Sequence, residues 1–446
     1  MQDFKTFMKQ AASVRPSQRQ IQWFDTEFYA FVHFSPNTYT DLEWGTGKED
    51  PAIFNPTELD CDQWVEAIKS AGMKGMVLTA KHHDGFCLWP SAYTEHCVKN
   101  SPCKKDIVKE AAEACRRGGI KFGFYLSPWD RNCSLYGTPE YNDYYCNQLT
   151  ELLTGYGDIF CVWFDGACGE GPNGKKQVYD FDRYIALIRK YQPDAVIFND
   201  GGPDTRWVGN EAGKARHAEW AVVPSELCMR AEIQTEAGPL CGDLNYMYNS
   251  DPDVGTLANI LYSKGLVFCP SEVDMSIRPG WFYHDTEQPH SLERLFHTYL
   301  TTVGGNACFN LNIPPMPSGR FDEADVARLK ELGELIRSEF ATDLAESLTP
   351  TYREISETQG EWTLEFDQPC EIRYISISED LSYGQRIENF QIRCLTSDGT
   401  MATICNDTTV GHKKICRLPR AITTKKLVLA VTAARDTVQL KSIQVY

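Results

Sequence analysis

The stretch Phe28-Tyr29-Ala30-Phe31-Val32-His33-Phe34-Ser35-Pro36 decides the fold. Phe28–Phe34 is a short apolar run, rich in aromatic residues, and reads as a buried strand. The residues just after it separate two architectures. An open doubly wound sheet continues from its first strand into a glycine-rich turn that can cradle a phosphate. Here the strand runs into His33-Phe34-Ser35-Pro36, which contains no glycine. The reading favours a closed (β/α)8 barrel, with the open sheet as its alternative.

Working outward, similar runs recur at Gly75–Ala80, Lys121–Ser127, Ile159–Phe164, Ala195–Asn199, Leu266–Pro270 and Asn306–Leu311, with a further possible strand near His217–Val222. Amphipathic helical stretches lie between them. Cys61–Ala71 places Trp64, Ala67, Ile68 and Ala71 on one face and stops at Gly72. Asp106–Arg116 and Phe181–Tyr191 behave the same way. Strand and helix alternating in this manner imply a parallel sheet. From about Thr349 the helical period disappears. Short alternating runs take over at Trp362–Phe366, Glu371–Ile377, Phe390–Leu395, Lys413–Cys416, Lys426–Val431 and Val438–Val445, with turns such as Ser397-Asp398-Gly399 between them. The expected organisation is a barrel domain over residues 1–347 and an all-β sandwich over 348–446.

Composition excludes several classes. The 44 Lys and Arg against 61 Asp and Glu leave a net charge of −17, which repels phosphate backbones and makes nucleic acid an unexpected partner. No apolar run approaches the roughly 20 residues of a membrane helix, so no membrane partner is expected. Met1–Gln20 is polar and carries no secretory pattern, and the expected location is cytoplasmic. The 17 cysteines are odd in number, scattered and without a C-x-x-C pair, so they read as buried free thiols rather than a disulfide framework or zinc ribbon. The 10 tryptophans suit stacking on sugar rings, and equally suit the core of a large barrel.

A barrel keeps its chemistry at the C-terminal ends of its strands. The candidate strand ends carry His33; Lys81, His82, His83 and Asp84; Tyr125, Trp129 and Asp130; Trp163 and Asp165; Asp200, Asp204, Trp207 and Glu211; then Glu272, Asp274, Arg278 and Trp281. His33, His82 and Asp84 form a possible zinc set, although the H-x-H of barrel metallohydrolases is missing from the first strand. Asp165 ends the apolar run Ile159–Phe164, where an unpaired carboxylate costs several kcal/mol. Gly166-Ala167-Cys168-Gly169 continues as loop, which weakens the reading of Asp165 as a helix cap and favours a nucleophile, with Trp163 in the pocket wall. A glycosidase needs a second carboxyl group. Glu211, Glu272, Glu43 and Asp204 are all candidates for it.

Five strings give the pattern a family likeness: Phe31-Val32-His33-Phe34, Glu43-Trp44-Gly45, Lys81-His82-His83-Asp84-Gly85-Phe86, Phe124-Tyr125-Leu126-Ser127 and Trp163-Phe164-Asp165-Gly166. In this order they resemble glycoside hydrolase family 29, the retaining α-L-fucosidases. The resemblance implies Asp165 as nucleophile and His33, Glu43, Trp44, His82, His83, Tyr125 and Trp163 as the fucose pocket. It implies no cofactor or metal, and fucosylated glycans as substrates. Arg206-Trp207-Val208-Gly209-Asn210-Glu211 and Ser276-Ile277-Arg278-Pro279-Gly280-Trp281-Phe282-Tyr283 resemble a branch selective for α-1,3 and α-1,4 linked fucose. That likeness implies Glu211 as acid/base, Trp281 as a pocket wall and Glu272 as the reserve acid or an aglycone ligand. A broad-specificity fucosidase and a non-catalytic sugar-binding protein are the alternatives.

Overall fold

The structure is a computed structural model that describes residues 4–199, 202–225 and 254–446. The strands in chain order begin with β1 (Phe28–Val32), β2 (Gly75–Lys81), β3 (Lys121–Leu126), β4 (Cys161–Trp163), β5 (Val196–Asn199) and β6 (Thr205–Trp207). They continue with β7 (Val222–Pro224), β8 (Leu266–Phe268), β9 (Ser271–Ser276) and β10 (Cys308–Asn312). Eight of these close a parallel barrel in the order β1-β2-β3-β4-β5-β6-β9-β10 and back to β1. The (β/α)8 class expected from the sequence is thus the observed one.

The helices form where the pattern placed them, and their caps explain their limits. Cys61–Ser70 starts at Asp60, whose carboxylate accepts from the Gln63 N–H. Ile107–Gly118 starts at Asp106 and ends on Gly119 at φ 71°, a left-handed position that suits a residue without Cβ. Phe181–Tyr191 is capped by Asp180. Each lays its apolar face on the barrel. Trp64 is buried against Phe34 and Phe321, and truncating such a side chain to alanine costs about 3–5 kcal/mol.

Two strand assignments are corrected. Leu266–Pro270 is not a barrel strand. Its residues 266–268 pair antiparallel with Val222–Pro224 outside the barrel, which also displaces the possible strand near His217–Val222. The sixth and seventh barrel strands are instead Thr205–Trp207 and Ser271–Ser276. The second was missed because Glu272, Asp274 and Ser276 give it a polar texture, although every residue in it is buried. The last barrel strand begins at Cys308 rather than Asn306, which sits at φ 67°. Asp200 lies outside the described residues.

The helix Glu323–Glu339 closes the barrel domain, and an antiparallel domain begins at β11 (Thr351–Ser356). It continues with β12 (Gln359–Glu379), β13 (Ile387–Leu395), β14 (Met401–Thr408), β15 (Lys414–Ala434) and β16 (Leu440–Val445). Runs that read as separate strands are halves of β12 and of β15, which break register between Glu365 and Cys370 and between Ile372 and Tyr374. Such irregularities let a long ladder bend and cover its own apolar face. The domain docks on the barrel through polar contacts. The Ala221 N–H donates to Gln385 at 2.8 Å, the His412 N–H to the Asn306 side-chain oxygen at 2.6 Å, and the Arg435 guanidinium lies 3.5 Å from the Trp220 ring centre.

Candidate active site

A cavity of about 340 Å³ opens at the C-terminal ends of the barrel strands. His33, Glu43, Trp44, His82, His83, Tyr125, Trp163, Asp165, Glu211 and Trp281 all line it, so it gathers the expected nucleophile and acid/base with the expected fucose pocket. Phe31, Trp207 and Asp274 complete its walls.

Asp165 lies two residues past the end of β4, where the apolar strand delivers it to the floor with its side chain a quarter exposed. Tyr125 donates its hydroxyl to Oδ2 at 3.0 Å, and the Ala167 N–H donates to Oδ1 at 2.6 Å. Burial raises the pKa of this carboxyl group while the two donors oppose the rise. His83 Nε2 lies 3.9 Å from Oδ2.

The histidines are held neutral. Burial pulls His33 and His83 down to about 3 and His82 well below its ordinary value. Their tautomers are set by their neighbours. Asn312 donates its amide to the Ser276 hydroxyl and the Trp281 carbonyl, each at 2.8 Å, which leaves its oxygen to accept from His33 Nδ1 at 2.8 Å. Ser127 spends its proton on the Trp129 carbonyl, 2.6 Å away, and so accepts from His83 Nδ1 at 2.7 Å. Both rings therefore keep Nε2 as an acceptor. His82 Nδ1 is buried and finds no hydrogen-bond partner among the described residues.

The opposite wall comes from the loops after β6 and β9. Glu211 accepts from the Trp281 indole N–H at 3.1 Å. Burial raises its pKa above the ordinary glutamate value, the Trp281 donor opposes this, and the charges of Asp165 and Glu43 add to the rise. Glu43 fixes the loop that carries Trp281. It accepts from the backbone N–H groups of Trp281 at 2.9 Å and Phe282 at 3.3 Å, and contacts His284 Nε2 at 2.7 Å. Trp44 stands at the rim, 60% exposed, edge-on to His83 and Trp129.

The four candidates for the second carboxyl group separate cleanly. Glu211 and Glu43 face the cavity. Asp204 pairs with Arg189 and Arg19 and accepts the Ile197 N–H, so it is part of the scaffold. Glu272, the reserve acid and possible aglycone ligand, is a correction: it is fully buried among Tyr29, Trp163 and Asn310, all of which donate to it. It lies behind Trp163 and does not line the cavity. Asp84 is likewise removed from His33 and His82, with its carboxylate taken by the Ser35 hydroxyl and the Phe86 N–H, each at 2.7 Å. Asp274 and Trp207 were not expected as wall residues. Trp207 donates its indole N–H to Asp274 at 2.9 Å, and burial raises the pKa of that carboxyl group well above its ordinary value. Their sequence signal was their place among the polar and aromatic residues at strand ends, with Trp207 also inside the Arg206–Glu211 string.

Neutral imidazoles, indole walls and carboxyl groups at the mouth of a (β/α)8 barrel define a glycoside hydrolase that binds a neutral sugar. Comparison with known proteins makes this specific. The α-L-fucosidase family profile matches residues 7–339. Alpha-L-fucosidase 1 of Arabidopsis thaliana is 40% identical over 94% of this chain and 85% of its own length. A candidate α-L-fucosidase structure from Bacteroides ovatus superposes with a TM-score of 0.90 and 42% identity over 99% of this chain and 75% of that one. A Ruminococcus gnavus family 29 fucosidase in complex with fucose superposes with a TM-score of 0.83 and 28% identity, covering 97% of this chain and 95% of that one. The chain belongs to the α-L-fucosidases of glycoside hydrolase family 29.

Proposed function

We propose that this α-L-fucosidase is a retaining exo-enzyme that removes terminal α-1,3 or α-1,4 linked L-fucose from branched, Lewis-type glycans. Asp165 attacks the anomeric carbon while Glu211 passes its proton to the departing glycosidic oxygen. A fucosyl ester forms on Asp165. Glu211, now a carboxylate, takes a proton from water, and that water attacks the same carbon from the other face. The two inversions restore the original anomer. A sugar hydroxyl in place of the water would give fucose transfer.

The observation that carries this reading is the pairing across one cavity of Asp165 with Glu211, whose proton is retained more strongly by burial and by the charge of Asp165. The remaining groups suit the sugar. The Nε2 acceptors of His33 and His83, and the His82 Nδ1 without a partner among the described residues, match hydroxyls, which a sugar of different stereochemistry would leave unpaired. Phe31 and the indole rings offer the apolar contact that a C6 methyl needs, worth on the order of 1 kcal/mol. The linkage reading rests on the two branch-like strings, and the Glu211–Trp281 hydrogen bond joins them at the cavity mouth.

Free fucose is measured from a Lewis-type trisaccharide and from a nitrophenyl fucoside. The trisaccharide is expected to be the better substrate, and the first anomer seen by NMR is expected to be α. Replacing Glu211 with Gln should slow the trisaccharide by about 10²–10⁴-fold. The nitrophenyl substrate should suffer far less, because its leaving group departs without protonation. Equal losses on both substrates would remove Glu211 from the acid role, and strong action on the nitrophenyl fucoside alone would replace the linkage reading with broad specificity.

A further inference from the structure

A second cluster of reactive side chains sits away from the fucose pocket, where the sandwich meets the barrel. Cys405 and Asp407 are two residues apart on β14 and share a face. The turn at 409–413 returns the chain so that Cys416, on β15, comes beside them. The two sulfurs and a carboxylate oxygen all lie within 4.8 Å of one another. A fourth donor comes from the barrel domain: His217 Nε2 is 3.0 Å from Asp407 Oδ1, on a side chain 74% exposed.

We propose that Cys405, Asp407, Cys416 and His217 form a binding site for a thiophilic divalent cation, with Zn²⁺ the ion that suits this donor set. Two thiolates, a carboxylate and a neutral imidazole are a closed, four-coordinate structural set. Zn–S bonds of about 2.3 Å and Zn–O or Zn–N bonds of about 2.0–2.1 Å bring tetrahedral donors to about 3.3–3.8 Å from one another, so the cluster needs to close by only about 1 Å. Charge also balances. Zn²⁺ with three anionic ligands leaves one negative charge, and Lys414 Nζ lies 3.2 Å from Asp407 Oδ2 to offset it. Lys414 also donates to the His217 carbonyl at 3.3 Å, so it holds the turn that carries the histidine beside the cluster. Binding releases the two thiol protons and forms the metal–sulfur bonds with no change of oxidation state.

The position has a consequence for the enzyme. His217 lies on the segment between β6 and β7 that also carries Glu211. That segment is held to the barrel by Glu219, which takes Arg206 and Arg216 in a buried ion-pair cluster. A bound ion would fasten its outer side to the sandwich, so that the two domains hold the loop between them.

The test uses the full-length reduced protein, stripped with a chelator and titrated with Co²⁺ and then Zn²⁺. One equivalent of Co²⁺ should give thiolate-to-cobalt charge-transfer absorption and the visible bands of tetrahedral cobalt, and one equivalent of Zn²⁺ should displace it and raise the thermal midpoint. The double substitution Cys405→Ser with Cys416→Ser should abolish the bands. His217→Ala, at an exposed position that leaves folding intact, should weaken Zn²⁺ binding by about 10-fold or more. Far-ultraviolet circular dichroism serves as the folding control for both variants. Failure to bind at one equivalent, or bands undiminished in the double variant, would overturn the proposal. So would a reduced protein that binds no metal but loses two hydrogens between Cys405 and Cys416 on mild oxidation, which would make the pair a dithiol instead.

Discussion

The barrel has two arcs that reach the same dry interior by different chemistry. Strands β1 to β5 fill it mostly with apolar and aromatic side chains, Tyr29, Phe31, Val77, Tyr125, Cys161, Trp163, Val196 and Phe198. Strands β6, β9 and β10 bury Glu272, Asp274, Asn310 and Asn312 at the same depth. Burying such groups is tolerable only when each is hydrogen-bonded. Donors from the first arc meet that need, with Tyr29 and Trp163 both donating to Glu272. The first arc is rigid by packing and the second by hydrogen bonds that reach across the barrel. The nucleophile candidate stands on the first and the acid candidate beyond the second, so the cavity is held between a packed wall and a hydrogen-bonded one.

If the packed wall carries the nucleophile, Asp165→Asn should produce the largest loss in the molecule. We expect kcat to fall on the order of 10⁴-fold. An amide oxygen at that site still accepts from the Tyr125 hydroxyl or the Ala167 N–H, so the local fold is kept. Fucose affinity by calorimetry should therefore stay within a few-fold of the parent. Turnover reduced by less than tenfold would remove Asp165 from the role and shift attention to the opposite arc.

The hydrogen-bonded wall predicts an effect on stability. Burial raises Glu272 to about 6, against the donors Tyr29, Trp163 and Asn310, so the native state holds this proton more tightly than the unfolded chain. A raised carboxyl pKa favours the fold fully below the unfolded value, near 4.5, and that contribution is lost as pH rises through about 6. The loss is about 2 kcal/mol for a shift of this size. Glu272→Gln cannot ionise, so its denaturant stability minus that of the parent should become more favourable between pH 4.5 and pH 7. A difference that is flat across that window would mean that the three donors keep the native pKa of Glu272 no higher than its unfolded value.

The same contrast explains what the sequence made legible. The first arc announced itself because Phe28–Phe34 and Ile159–Phe164 are apolar runs, and a run of that kind has few places in a soluble barrel other than a buried strand. The strand Ser271–Ser276 did not, because Ser-Glu-Val-Asp-Met-Ser reads as surface loop until its partners across the barrel are known. Neighbouring Leu266–Phe268 carried the stronger apolar signal yet spends it on a small ladder with Val222–Pro224. Site residues were easier to find than strands in this arc. Glu211 and Trp281 could be named from their strings, and the structure brings them into one cavity, although no local pattern could show that Trp281 donates to Glu211. Asp274 was passed over as a wall residue for a related reason, since a carboxyl group inside a barrel reveals itself only through the Trp207 that faces it.

The smallest effect tests whether the hydrogen-bonded wall also tunes the proposed acid. The Trp281 indole N–H stabilises the charged form of Glu211, and so holds its pKa below the value that burial and the Asp165 and Glu43 charges would otherwise set. Trp281→Phe removes the donor but keeps an aromatic ring beside Phe31 and His33. The proton on Glu211 is then lost at higher pH. Because the acid must be protonated for bond cleavage, the alkaline limb of the kcat/KM profile should move upward by about half a unit to one unit. That limb reports the free enzyme, so a change in sugar contact alone would lower the whole profile and leave its limb in place. A limb that moves downward, or not at all while the profile falls, would show that Trp281 acts on the sugar and not on the proton of Glu211.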